Sequence, residues 1–246
     1  MVWQEETLRH SPHHLKPETS IMNQVALTWV LAEKDLKVEC RSPQAFLTTV
    51  FFALLILVIF NFAFDPGSQA TREATPGILW VSLLFPGIIQ LNRSFQAEME
   101  EGTLYGLILS PIDRGLLYLG KLLANWAFLV VVDLFVLVAF VIFYNFSFSV
   151  QMLWVVLMIV LASVGFTAVG TVFAAMLSSL RTREVLLPIL LFPIIIPIIL
   201  AAVNGTQEVL ILEEVQFLSR WLQLLIAFDV IYVAAGFLLF DYVVAD

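Results

Sequence analysis

The chain has 246 residues, of which 61% are hydrophobic and only 13% charged, with a formal net charge of −8. A soluble domain carries roughly 45–50% apolar and about 25% charged residues. The balance therefore excludes an ordinary soluble domain and a nucleic-acid-binding surface, and it reads as an integral membrane protein whose main partner is the lipid bilayer. A single cysteine, Cys40, allows neither an internal disulfide nor a paired-thiol metal site.

Residues 1–22 read as a solvated, disordered tail. They hold all three histidines, His10, His13 and His14, beside Pro12 and Pro17. A metal-binding role for that cluster is the alternative. Initiation at Met22 would shorten the chain without touching any helix. The first long apolar run begins near Phe46, too far in and too long for a signal peptide. Residues 23–41 place Val25, Trp29, Ala32, Leu36 and Cys40 on one stripe at 3.6-residue spacing, with Lys34 and Lys37 pointing away. That pattern predicts an amphipathic helix lying in the membrane interface, or one packed on a partner protein.

From residue 43 to 246 the chain reads as an all-α, polytopic transmembrane domain with six spans, at about 43–64, 74–92, 118–145, 150–180, 185–203 and 221–241. Tyr144, Asn145, Phe146 and Ser147 mark a tight turn between the third and fourth spans. With the N-terminus inside, ten Lys and Arg residues lie on the cytoplasmic side and only Arg72 and Arg220 lie outside. Both termini are therefore expected to be cytoplasmic. The external connections are short, the longest being about seventeen residues after the fifth span.

The longest connection, 93–117, faces the cytoplasm and contains FQAEMEEGTLYGLILSPIDRG. Its apolar run TLYGLIL is too short to span and too apolar to stand in water, so it is expected to bury against something as a short helix parallel to the membrane. Ser110 reads as the N-cap of the next helix, with Pro111 at its first position and Asp113 three residues after the cap. GLLYLGK, Gly115 to Lys121, has the spacing of a phosphate-binding loop, but Leu122 stands where the magnesium-binding hydroxyl belongs and no strand precedes it. If ATP drives this protein, another subunit binds it.

Asp133 and Asp229 fall halfway along the third and sixth spans, with no Lys or Arg inside the helices to pair with them. Each must be protonated, wetted by a cavity or hydrogen-bonded to a neighbour, as part of a transport path or as a helix contact. An aspartyl protease pair is a remote alternative, because VVDLFV and AFDVIY lack the Tyr-Asp and Gly-x-Gly-Asp of that class. A proton-coupled carrier is another, but it leaves the cytoplasmic loop unexplained. Pro188, Pro193 and Pro197 in the fifth span mark either a gate or a fixed kink. Ser163, Thr167, Thr171 and Ala175 repeat every four residues and predict close helix packing.

FQAEMEEGTL, Phe95 to Leu104, resembles the F-x-x-D-x-x-D-G-S-L motif of the cytochrome c maturation permease family, the haem exporter protein B family (CcmB). Phe95, Gly102 and Leu104 match outright; Glu98, Glu101 and Thr103 keep charge or hydroxyl while changing length. PGILW (Pro76 to Trp80), the LSP of Leu109 to Pro111 and LLPILLFPIIIP of the fifth span are similar to that family as well. The resemblance covers essentially Met22 to Asp246. It implies a type-2 exporter-like permease of an ATP-binding-cassette (ABC) transporter in the bacterial inner membrane, which is not itself an enzyme.

In that setting 23–41 is the interfacial helix, and the short helix in 93–117 is a coupling helix seated in a separate ATPase subunit. Phe95, Glu98, Glu101, Gly102, Thr103 and Leu104 form the ATPase-coupling motif, and ATP and magnesium sit on the partner. Two permease copies stand above two ATPase subunits. Haem is the cargo, with haem-handling membrane subunits and a periplasmic haem chaperone as further partners. The loop also resembles that of type-2 ABC exporters for lipids, polysaccharides or drugs, which is the alternative function. The apolar part holds no imidazole, so any haem ligand here would be a weak one such as Met152 or Met158, or haem is held by a partner. No bound cofactor or metal is expected on this chain.

Overall fold

The computed structural model describes residues 21–41, 43–65, 68–100, 113–146, 149–212 and 218–243, with backbone alone at 21–25, 40 and 96–100. Among them are seven α-helices: α1 (Ile21–Arg41), α2 (Pro43–Ala63), α3 (Gln69–Glu100), α4 (Arg114–Phe143), α5 (Met152–Leu177), α6 (Arg183–Gln207) and α7 (Leu218–Val243). A π-helical turn, Glu208–Leu212, continues α6. Six of these helices, α2 to α7, are long and apolar enough to cross a membrane. The chain is therefore a multi-pass membrane protein. Every backbone N–H inside such a helix is satisfied within it, which is the condition a segment in hydrocarbon must meet.

The spans follow the hydropathy closely, and three boundaries move. The second span is the middle of α3, which starts at Gln69 and runs past residue 92 to Glu100. Residues 93–100, expected in a loop, are helical because FQAEME contains good helix formers and the first strong breaker is Gly102. The connection after the fifth span is mostly helix as well, through Gln207 and the π-turn. Asn204 Nδ2 donates to the Leu200 carbonyl and Trp221 Nε1 donates to Glu208 Oε1 at 2.8 Å, which anchors that extension to α7. Asn145 takes φ 51° in the α4–α5 turn, a left-handed conformation that asparagine tolerates better than other side chains.

α5 lies in the middle of the bundle, packed against α3, α4, α6 and α7. Lipid tails are as apolar as leucine, so close approach and interhelical hydrogen bonds replace the hydrophobic drive. The four-residue stripe delivers that approach: Ser163, Thr167 and Thr171 are buried, and Asn125 Nδ2 of α4 donates to Thr171 Oγ1 at 3.3 Å. The Tyr118 hydroxyl donates to the Ala168 carbonyl at 3.1 Å and Trp126 Nε1 to the Val160 carbonyl at 3.1 Å. Across the stripe, Gly170 takes the side chain of Leu91 from α3. Trp80, the last residue of PGILW, is buried in α3 and donates to Thr206 Oγ1 at 3.0 Å, tying α3 to the extended end of α6.

Alternation of direction sorts the charges. The start of α4 meets α1 through Lys121 and Asp35, and meets the end of α7 through Arg114 Nη1, which donates to the Asp241 carbonyl at 2.9 Å. The first helix and the last turns of the bundle therefore share one end, together with Lys34, Lys37, Arg41, Arg93, Arg114 and Lys121. Arg72 and Arg220 sit at the start of α3 and α7, the opposite end.

Candidate functional site

The site of interest is where the 93–117 connection leaves the bundle. Phe95 is buried in α3 and packs with Ile88, Leu91, Leu177 and Leu187 in one apolar cluster. Lys121 Nζ of α4 stands 5.0 Å from the centre of its ring. That lysine is 3% exposed and pairs at 3.2 Å with Asp35 Oδ2 of α1; Asp35 Oδ1 also meets Lys34 at 3.2 Å. A lysine so deeply placed is costly unless paired, and the Asp35 carboxylate and the Phe95 face both help to hold its charge. The preceding residue makes this possible. A Cβ on Gly120 would come 2.8 Å from Leu31 Cβ, so only glycine lets α1 lie close enough for Asp35 to reach in.

Beside this pair the Gln90 amide is buried, facing Glu39 of α1 closely enough to favour its carboxylate but outside hydrogen-bond geometry. Burial pushes the Glu39 carboxyl above its ordinary value of 4.5, and Gln90, Arg93 and Lys121 oppose that shift without cancelling it. A raised carboxyl binds its proton more tightly in the folded state, so the fold is favoured below pH 4.5 and loses that share as pH rises through the raised value. Glu39→Gln is therefore expected to raise the thermal midpoint at pH 7. The gain should vanish below pH 4.5, as followed by thermal unfolding in nanodiscs at both pH values.

Of the six predicted coupling residues, only Phe95 has a described side chain. Glu98 lies in the last turn of α3, which places its backbone and no more. Glu101, Gly102, Thr103 and Leu104 lie outside the described residues, as do the apolar run TLYGLIL and Ser110 and Pro111. The helix entering the bundle starts at Arg114, and its N-cap is Asp113, whose Oδ1 accepts from the Gly115 N–H at 2.9 Å. The expected cap at Ser110 is corrected: the carboxylate expected in the first turn is the cap itself, because its backbone is extended and its oxygen meets a free N–H.

α1 packs one flank on α4 and leaves part of its apolar stripe uncovered by the chain. Trp29 is 66% exposed, whereas Thr28, Leu31 and Ala32 are buried against α4.

Within the spans, Asp133 and Asp229 are both buried but line separate cavities. Asp133 borders a small cavity of about 10 Å³ with Trp80, Leu129, Ser163 and Phe166, and its Oδ1 has no hydrogen-bond partner among the described residues. Asp229 lies against the backbone of Gly165 at the floor of a groove open to the outside of the bundle. The two acids thus face different cavities and do not line one common site. The helix carrying Pro188, Pro193 and Pro197 runs unbroken through all three, and none of them lines either cavity. Tyr232 of α7 donates to the Ile194 carbonyl among them at 2.5 Å. Met152 and Met158 are core residues, with Met158 Sδ packed on Gly205. No group of three or more His, Cys, Asp or Glu among the described residues is arranged to hold a metal.

Lys121, Asp35, Gly120 and Gln90 were missed as site residues. The signal was a Gly-Lys pair near a span start, with an acid on a helix predicted to lie flat beside it, but pairing across 86 residues is invisible to local pattern.

A six-span helical bundle with a basic end, an apolar core cut by polar side chains and a first helix packed on α4 defines a polytopic membrane protein. The chain belongs to the CcmB protein family, whose model matches residues 26–241. It is similar to Heme exporter protein B of Pseudomonas aeruginosa, 27% identical over 181 residues, covering 72% of this chain and 79% of that protein. It is similar also to Heme exporter protein B of Haemophilus influenzae, 26% identical over 175 residues, covering 70% and 77%. Heme exporter protein B of Escherichia coli strain K12 is 28% identical over 98 residues, covering 40% and 44%.

Proposed function

We propose that this chain is the permease subunit of an ATP-binding-cassette transporter that couples ATP hydrolysis on a separate subunit to the export or handover of haem in cytochrome c maturation. The observation that carries the proposal is the family match over residues 26–241, which runs through the whole 93–117 connection and its buried root. In this reading both termini are cytoplasmic in the bacterial inner membrane, and the basic end of the bundle faces the ATPase. Residues 23–41 form the flat helix and 43–246 the permease, two copies to a complex, working with haem-handling membrane subunits and a periplasmic chaperone.

Glu98 and Glu101 offer carboxylates to basic residues of the ATPase, Gly102 frees the turn, and Thr103 and Leu104 open the segment that seats in it. Phe95 transmits displacement of that segment to α3, and Lys121 passes it to α1. Asp133 is assigned to the polar lining of the path, and the three prolines of α6 to the element that changes shape.

The test is co-purification with an ATP-binding-cassette ATPase subunit of the same host, together with its ATPase rate in nanodiscs. Glu98→Lys/Glu101→Lys and Gly102→Pro are each expected to lower retention and coupled hydrolysis at least about tenfold, because one charge-assisted contact is worth about 1.5–3 kcal/mol and tenfold is 1.4. Full binding and coupling in both variants would remove the docking role. Purified without its membrane partners, the chain is expected to show no stable haem absorption band; a persistent one would assign haem storage to this subunit.

A further inference from the structure

The groove beside Asp229 is lined by Leu119 of α4, Val164 of α5 and Val233, Phe237 and Leu238 of α7, and has a volume of about 670 Å³. It runs from Asp229, halfway along α7, toward the end of the bundle where α4 begins. Asp229 is only 7% exposed, yet neither carboxyl oxygen has a hydrogen-bond partner among the described residues. It presses on the Gly165 backbone, where the N–H is held within its own helix. Everything else around it is apolar. A polar group left unpaired in a low-dielectric interior costs about 1–3 kcal/mol, so a carboxyl group kept at this depth needs a donor brought from outside the chain.

Lipid tails bring none. A second copy of this chain brings none either: in the middle of the spans every exposed side chain among the described residues is Val, Ile, Leu, Phe, Ala or Pro, and exposed donors such as Gln44, Gln223 and Tyr242 lie near helix ends. α7 is also the span least covered by its own chain, with Val230 64% and Leu238 68% exposed along the groove.

We propose that this groove is the docking site for a transmembrane helix of a different polypeptide, one that carries a hydroxyl, amide or protonated basic side chain at mid-membrane depth and donates it to Asp229. Apolar packing along Phe237 and Leu238 then supplies contact area, and the single polar pair sets the register of the two helices. The inference concerns the lateral face of the subunit and stands apart from ATPase docking at its basic end.

The test places a photo-reactive benzoylphenylalanine at Val230 or Leu238 of the otherwise wild-type chain in membranes of its own host, with adducts identified by mass spectrometry. The expected product is one heterologous membrane subunit, joined through a helix carrying a donor within one turn of the cross-linked residue. Asp229→Leu should lower its yield about tenfold, equivalent to about 1.4 kcal/mol. Asp229→Asn keeps an acceptor of the same shape and should retain at least about half. Removing the partner's donor should match the Asp229→Leu loss and add nothing in combination with it. A self-adduct, lipid adducts alone, a partner helix without a donor, equal yield in Asp229→Leu or full loss in Asp229→Asn would each overturn the assignment.

Discussion

Lys121→Met is expected to loosen α1 from the bundle and to destabilise the protein by about 3–4 kcal/mol. Removing one member of a buried ion pair costs about 3–5 kcal/mol, because the other charge is left stranded. The lower figure applies here because Asp35 keeps 13% of its side chain exposed and has Lys34 as a second partner. Methionine fills similar volume, so loss of packing is not the cause. Loss of the cation over Phe95 adds roughly 0.5–1 kcal/mol. Thermal unfolding in nanodiscs measures the total, and hydrogen exchange over residues 28–36 shows whether α1 is the part released. Adding Asp35→Asn should recover at least half of the loss, since the stranded carboxylate is then gone. A double variant as unstable as Lys121→Met alone would show that the lysine acts through something other than this pair.

Gly236→Ala is expected to cost about 2 kcal/mol although it places a better helix former inside α7. Alanine gains about 1 kcal/mol over glycine in a helix interior. Against that, a Cβ at 236 lands on the hydroxyl and ring of Tyr118, which is fully buried, is hydrogen-bonded to the Ala168 carbonyl and packs at a tilt against the Phe240 ring. A rigid ring held on three sides cannot give way as the tip of a leucine can. The contact therefore wins over the propensity, at the upper end of the range for overpacked cores. Tyr118→Phe should not rescue the variant, because the ring carbon next to the oxygen is also struck. Tyr118→Ala in the Gly236→Ala background should cost less than it does in the parent, giving a coupling of more than about 1 kcal/mol in a double-mutant cycle. Additive losses would show that the α4–α7 contact is softer than its geometry implies.

Much of the architecture was legible before any coordinates, because a bilayer imposes a length on whatever crosses it. The uncharged runs located all six spans, the small-residue stripe of α5 marked its packing face, and Asn145 marked a turn. Boundaries were legible only where a breaker stood nearby. α3 overran its hydropathy because nothing in FQAEME stops a helix, and α6 overran because Thr206 and Glu208 find partners on α3 and α7 that lie far away in sequence. The polar chemistry was the least legible. Asp133 and Asp229 announced themselves by standing in apolar runs. Lys121 did not, because a lysine near a span start ordinarily reaches for the membrane surface, and its burial depends on α1 folding over Gly120.

α3 is a single helix of 32 residues, hydrogen-bonded near one end by Trp80 to Thr206 and plugged near the other by Phe95. At 1.5 Å per residue it is about 48 Å long, more than the hydrocarbon thickness it crosses. Near its middle the Phe166 ring bears directly on Gly87, where there is no side chain to slide past. The helix thus has the anatomy of a seesaw: a rocking of ~5° about that bearing shifts either tip by ~2 Å in opposite senses. A push on one face of the membrane would be felt on the other without anything having to travel through the wall between them.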